Sequence, residues 1–380
     1  MTIKNINLSP VSLLILFFTL TFVLITTPFY DLEATLIFGG KDGIDYFRIS
    51  ESAPKIATNI QYIKSERFLF PYLIGLFSNY FNFDIFNIYR ICSVIFCLSL
   101  IYLITVLLKN LKCPEKLKLL FLLIIILNPY LIRYYIALPT LINDIIFLNI
   151  VTLLAISLLK KNYYLFYSAI FFGFFCRQNT FAFILSLYLI FFLERFFFRK
   201  NKLFDLKRII ISTSVVILVS YINYLYAKQT NSIMSGVDLY SVAIFGIFNT
   251  NYSIISFIKF IIFPLLSFFP LLILIIFEKF ELSKLNSSLK LFFILSVLFL
   301  IAQPFLAGPV IAGKNFIRLS NYSFPLIIFL LSSIISSKAF FEQRKNNAIY
   351  IIFILILYFW SMHPTFSKIK FFENLSFNII

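Results

Sequence analysis

The sequence predicts an all-α, polytopic membrane protein of about eleven transmembrane helices, and three observations carry that expectation. Of its 380 residues 61% are hydrophobic and only 13% charged, a balance outside the range of water-soluble domains. The apolar residues come as runs of roughly 17 to 24 between short polar breaks, the length that about 30 Å of hydrocarbon demands at 1.5 Å per residue. Those breaks carry the Lys and Arg clusters that set membrane topology. Nowhere do the runs alternate polar and apolar residues as the strands of a membrane barrel would.

The first run, Leu8 to Phe29, follows a single Lys4 and ends in Thr26, Thr27 and Pro28, without a signal peptide's cleavage site, so it reads as a retained span. A polar stretch from Tyr30 to Arg67 precedes RFLFPYLIGLFSNY, whose fourteen residues and internal Pro71 suit an interfacial or re-entrant helix. Residues 30–81 therefore form a first outer loop with interfacial helices. Further spans are expected at about 84–108, 117–136, 140–159, 163–177, 178–197, 209–227, 254–277, 291–308, 321–337 and 348–362. The break at Arg177, Gln178 and Asn179 makes 163–197 a hairpin, because Lys160 and Lys161 before it and Arg195, Arg199, Lys200 and Lys202 after it then share one side.

With the N-terminus inside and the C-terminus outside, nineteen Lys/Arg and six Asp/Glu fall on the inner side, a net +13, against fourteen and ten, or +4, outside. The loops at 30–67, 228–253 and 309–320 and the tail after Trp360 then face outward. The net charge of +17 is thus topology, and nucleic acid is not an expected partner. No linker or repeat divides the chain, so residues 1–380 read as one membrane domain, expected in a bacterial plasma (inner) membrane. Cys92, Cys97 and Cys176 lie in apolar runs and Cys113 in a basic loop; they read as core residues. The 52 Phe and 22 Tyr are lipid-facing filler and interfacial belt, with no substrate role assigned to them.

A single histidine, His363, excludes a multi-histidine metal site and argues against a Ser/His/Asp triad. Gly39, Gly40 and Gly43 form no phosphate-loop pattern. What remains is IFGGKDGIDYFRISESAP, which sets Asp42, Asp45, Arg48 and Glu51 at three-residue intervals, roughly one face of a short helix. A carboxylate there can deprotonate a sugar hydroxyl, and low dielectric at the bilayer surface would raise its pKa toward a useful range. The same spacing also serves a solvated helix that the Asp45–Arg48 and Arg48–Glu51 pairs merely stabilise. Arg133, Asp144 and Arg177 with its neighbour Gln178 fall near the outer ends of apolar runs, and Lys314 and Arg318 just before the tenth span. Ionisable groups at such depth are costly enough to suggest a polar cavity, although helix-end charges also snorkel without function.

The stretch KDGIDYFRIS resembles the WD-x-x-H-F-x-x-I-A kind of motif of the GT-C superfamily of glycosyltransferases that use polyprenyl-phosphate sugars, in particular its GPI-anchor mannosyltransferase-like members. RFLFPYLIGL is similar to the Pro-containing aromatic segment that follows there, and PTLINDIIF and GFFCRQNTFAF are weaker echoes. Lys41 stands in place of the Trp and Asp45 in place of the His. The resemblance implies transfer of a sugar from a polyprenyl-phosphate donor to a glycan or lipid acceptor on the outer face. It implies Asp42 as base, with Asp45 positioning the acceptor or a divalent cation. Arg133, Arg177 and Arg318 would hold the donor phosphate, and Arg48, Arg67, Asp144, Gln178 and Lys314 are further candidate substrate contacts. Other readings are an O-antigen type polysaccharide polymerase and a transporter or flippase of lipid-linked glycans; no matched pair of broken helices points to the inverted repeats of a transporter.

Overall fold

A computed structural model describes residues 8–32, 42–196, 204–230, 246–248, 251–278, 285–313, 315–335, 340–343 and 346–362. Gly39, Gly40, Lys41, Lys314 and His363 lie outside the described residues, as does most of the 228–253 loop. Among the described residues the chain is helical throughout, without a strand. In order run α1 (Pro10–Thr26), α2 (Asp42–Ser52), α3 (Tyr62–Ser65), α4 (Leu69–Phe81), α5 (Ile85–Asn110), α6 (Glu115–Leu127), α7 (Ile132–Ala137) and α8 (Ile142–Leu159). They are followed by α9 (Tyr163–Cys176), α10 (Phe181–Phe196), α11 (Leu206–Gln229), α12 (Ile254–Phe277), α13 (Ser287–Ile311), α14 (Asn315–Ser320), α15 (Phe324–Ile334) and α16 (Asn347–Ser361).

Local chemistry sets the helix starts. Ser9 accepts from the Ser12 amide ahead of Pro10, Asp84 caps α5 through Asn87 at 2.8 Å, and Asn162 and Asp205 cap α9 and α11 through Leu165 and Arg208. Each oxygen satisfies an amide that has no carbonyl partner within its helix. Pro71 falls in the first turn of α4, where its missing N–H costs nothing, so the apolar segment begins there as a helix of its own. Asn82, in the left-handed region at φ 54°, ends it.

Among the described residues seven helical segments are long and apolar enough to cross a membrane, and an eighth if α12, bent by 42° ahead of Pro264, counts as one span. Helices α1, α9 and α16 stand where spans are expected but have only 17, 14 and 15 residues. Two segments form the centre: from Leu117 to Leu127 on α6 and from Ile142 to Thr152 on α8 every side chain is buried. A helix that is apolar all round belongs in such an interior. Large apolar side chains lie exposed on α1, α5, α10, α11, α12 and α16, among them Phe17, Ile91, Phe192, Ile217, Ile276 and Phe359, which is the outer wall of a bundle solvated by lipid.

Polar contacts collect at the two ends. At one end the Ser9 amide and Ser12 hydroxyl donate to Glu115, each at 2.8 Å, and Lys116 donates to Asn347 at 2.9 Å. There too the Leu117 amide donates to Glu342 and the Phe340 amide to Glu278. At the other end lie the C-terminus of α1, α2, the start of α8, the α9–α10 break, and α14.

Candidate functional site

The second end of the bundle carries a buried ionic cage assembled from six segments of the chain. Asp42 opens α2, and its Oδ2 accepts from Arg318 Nη2 of α14 at 2.7 Å and lies 3.4 Å from Arg177 Nη2. Arg67, just before α4, brings Nη1 within 4.0 Å of the same oxygen. Lys64 of α3 lies between the two acids of the first turn of α2, with its ammonium 3.2 Å from Asp42 Oδ1 and 3.2 Å from Asp45 Oδ2. Behind them Asp144, fully buried on α8, accepts from Arg177 through both Nε and Nη2 and lies 3.4 Å from Arg318 Nε. Four cations thus enclose three carboxylates.

Backbone chemistry presents Arg177 to this cage. The apolar run 163–196 is broken where Arg177 adopts an extended conformation, φ −156° and ψ 134°, and its carbonyl accepts from both the amide and the hydroxyl of Thr180. Opened in this way, the chain turns the guanidinium inward, over the Tyr322 ring at 5.6 Å. Gln178 follows, accepting from Arg67 Nε at 2.7 Å and donating to Glu66 at 2.8 Å. Arg67 also donates to the Tyr46 hydroxyl, and its carbonyl accepts from Asn143. Such a connected network favours one arrangement of its members.

Electrostatics here reverses one expectation. Burial pushes the Asp42 carboxyl up, but Arg318, Arg177, Lys64 and Arg67 together outweigh it and hold the group well below its ordinary range. Proximity to four cations, rather than the low dielectric, sets its charge.

Of the residues picked from sequence, Asp42, Asp45, Arg67, Asp144, Arg177, Gln178 and Arg318 converge. Arg133 does not. Its guanidinium is buried on α7 and donates to Ser361, Thr26 and Thr27 at 2.8, 2.8 and 3.0 Å, tying α7 to α1 and α16, where hydroxyl groups surround it. Arg48 does not enter the cage either: its side chain is 58% exposed and among the described residues pairs with Asp45 alone, at 3.9 Å, because the buried face of α2 is the one carrying Asp45, Tyr46, Ile49 and Ser50. Sequence reasoning missed Lys64, Glu66, Tyr46 and Tyr322. The Lys64–Arg67 pair was a usable signal, two cations at helical spacing next to an interfacial helix.

The gap between Asp42 and Asp45, where a divalent ion would bridge two carboxylates, holds the Lys64 ammonium. The described residues contain no group of three His, Cys, Asp or Glu that could hold a metal. In this arrangement the carboxylates answer to cationic side chains, and no metal-dependent step follows from it.

No known protein family, curated protein or solved structure matches the chain.

Proposed function

We propose that the chain is a membrane glycosyltransferase that moves a sugar from a polyprenyl-phosphate donor to a hydroxyl of a lipid or glycan acceptor. The observation that carries this reading is the convergence of Arg318, Arg177, Arg67 and Lys64 on the single carboxylate of Asp42 at one end of an apolar bundle. Guanidinium forks suit phosphate oxygens, and buried at the membrane boundary they suit a phosphate that arrives on a lipid.

In the reaction Asp42 takes the proton of the acceptor hydroxyl as that oxygen forms a bond to the donor sugar's anomeric carbon. The bond from that carbon to the phosphate oxygen breaks, and its electron pair leaves with the lipid phosphate. Arg67, Arg177 and Arg318 stabilise the charge that develops there. An anionic donor that draws these cations onto its own oxygens also relieves the cause of the low Asp42 pKa, so the carboxylate becomes a competent base once the donor is seated. Asp144 positions Arg177 and Arg318 for both duties.

The finer topology belongs to the same proposal. Eleven apolar helices serve as spans, with α1, α9 and α16 the short ones and the N-terminus inside. The end that carries Glu115, Lys116 and Lys118 joins the Lys/Arg-rich loops, so the positive-inside rule assigns it to the cytoplasm and the cage to the outer face of a bacterial plasma membrane.

Purified protein supplied with a radiolabelled polyprenyl-phosphate sugar and a membrane extract as acceptor should transfer the label, and Asp42→Asn should not. Label carried across vesicles without transfer would replace the enzyme reading with a transporter.

A further inference from the structure

Beside the cage the chain has a second polar feature that no step above uses. A cavity of about 300 Å³ opens between α9, α10 and α11, lined by Glu66, Phe174, Gln178, Phe181, Ser220 and Asn223. Such a volume suits one small ring rather than a chain of them. A larger groove of about 600 Å³ along α4 and α5 is lined almost wholly by apolar side chains, as lipid contact demands, so the polar lining of the smaller cavity calls for a cause.

Asn223 gives the chemistry. The residue is only 5% exposed, its Nδ2 donates to the Phe174 carbonyl, and its Oδ1 has no hydrogen-bond partner among the described residues. Turning the amide over would set Oδ1 against that carbonyl, so the oxygen is held as an unmatched acceptor. A buried acceptor without a donor is costly, and it is relieved by a donor brought from outside. The Glu66 carboxylate, steadied by Gln178 at 2.8 Å, adds a negative charge that repels phosphate. Phe174 and Phe181, edge to face at 4.7 Å, add apolar ring surface. Acceptors beside aromatic rings recognise a neutral, hydroxyl-bearing ring.

The geometry points to this cavity as a sugar-binding subsite, in which Asn223 and Glu66 accept from ring hydroxyls and Phe174 and Phe181 pack on the ring. Gln178 is the wall that the cavity shares with the cage, since its Oε1 accepts from Arg67, which reaches Asp42. Sugar binding itself follows from the cavity alone; the assignment of that sugar as the acceptor rests on the proposed transferase function.

The test is saturation-transfer NMR on the full chain in nanodiscs with methyl glycosides of the common hexoses and pentoses, and glycerol as control. At least one glycoside should bind saturably while glycerol does not. Asn223→Leu should weaken it about tenfold, the effect of one unmatched hydroxyl, and Ser220→Trp, from an exposed rim position, should abolish it. Geranyl phosphate binding, read by calorimetry, should survive both changes and so report a folded cage. No glycoside bound by the wild type, or equal binding by both variants, would overturn the subsite. Glycoside binding without any geranyl phosphate binding would sink the transferase reading and leave the subsite standing.

Discussion

Arg318 Nη2 lies 2.7 Å from Asp42 Oδ2, although 276 residues separate them in the chain. In the proposed reaction, the cation assigned to the departing phosphate is therefore held, at rest, by the group assigned as base. Each is unavailable to substrate while it holds the other. If an anion competes with Asp42 for these cations, removing the carboxylate has two opposite effects. Asp42→Asn should lower sugar transfer by a factor of about 100 or more, as loss of a general base does, yet bind geranyl phosphate about tenfold tighter. Calorimetry on the folded variant decides it; weaker binding would mean that Asp42 and the phosphate do not share a site.

Much of this cage was legible in the sequence, for a physical reason. Charged residues at the ends of apolar runs are costly, so Asp144, Arg177 and Arg318 stand out wherever they fold. Lys64 did not stand out, because in a polar loop a lysine carries no such penalty, and only the fold reveals that it is 7% exposed between two carboxylates. Arg133 stood out for the same reason, but the fold places it apart from the cage, since nothing local says that Thr26, Thr27 and Ser361 will gather round it. The break at Arg177 was legible too, since the expected span 163–177 meets the observed Tyr163–Cys176; the hydrogen bonds by which Thr180 holds that break open were not, because hydropathy does not encode them.

Arg133 offers the contrast. Thr26 and Thr27 hand their own protons to the Phe22 and Val23 carbonyls, so they stay satisfied without the guanidinium. A buried cation without a carboxylate partner carries a desolvation cost that an apolar side chain of similar length removes. Arg133→Met should shift stability by less than about 2 kcal/mol and leave the transfer rate within about threefold, whereas Arg318→Met should abolish transfer. Thermal unfolding in detergent and rate measurements on both variants check this, and a dead but stable Arg133→Met would return that arginine to the site.

Asp144 is fully buried and is the shared partner of two arginines. Asp144→Asn leaves both guanidinium groups without their inner counter-charge, a change that costs about 3–5 kcal/mol in buried pairs. A second substitution, Arg177→Gln, removes one of the stranded charges. The double variant should therefore unfold at a higher temperature than Asp144→Asn alone, and additive losses would show that the pair is not coupled.

The Asp42 carboxyl is held below its ordinary value of 3.8, so the folded state binds that proton less readily than the unfolded chain. Its contribution to stability is then complete above pH of about 4 and is lost as the pH falls through the depressed folded value. The stability difference between wild type and Asp42→Asn should stay flat from pH 5 to 8 and shrink only in strong acid. A difference that changes near neutrality would mean that the cations do not dominate over burial.

Gly75 fixes where α2, and with it Asp42, stands. On α4 it packs so closely on α2 that a Cβ would overlap the Ser50 carbonyl oxygen and lie 2.7 Å from Ser50 C and Cα. Backbone atoms cannot swing aside as a side chain can. Ser50 is also clasped by hydrogen bonds to the Pro71 carbonyl at 2.6 Å and the Tyr89 hydroxyl at 2.7 Å. Gly75→Ala must therefore push the whole of α2 outward, and Asp42 and Asp45 ride on its first turn. Misplacing a catalytic group by about 1 Å can cost about 100-fold in rate, so kcat should fall by at least tenfold. Ser50→Ala, which loosens the clasp without pushing the helix, should cost less in rate. Equal rates for Gly75→Ala and wild type would mean that the position of α2, and with it of Asp42, does not limit transfer.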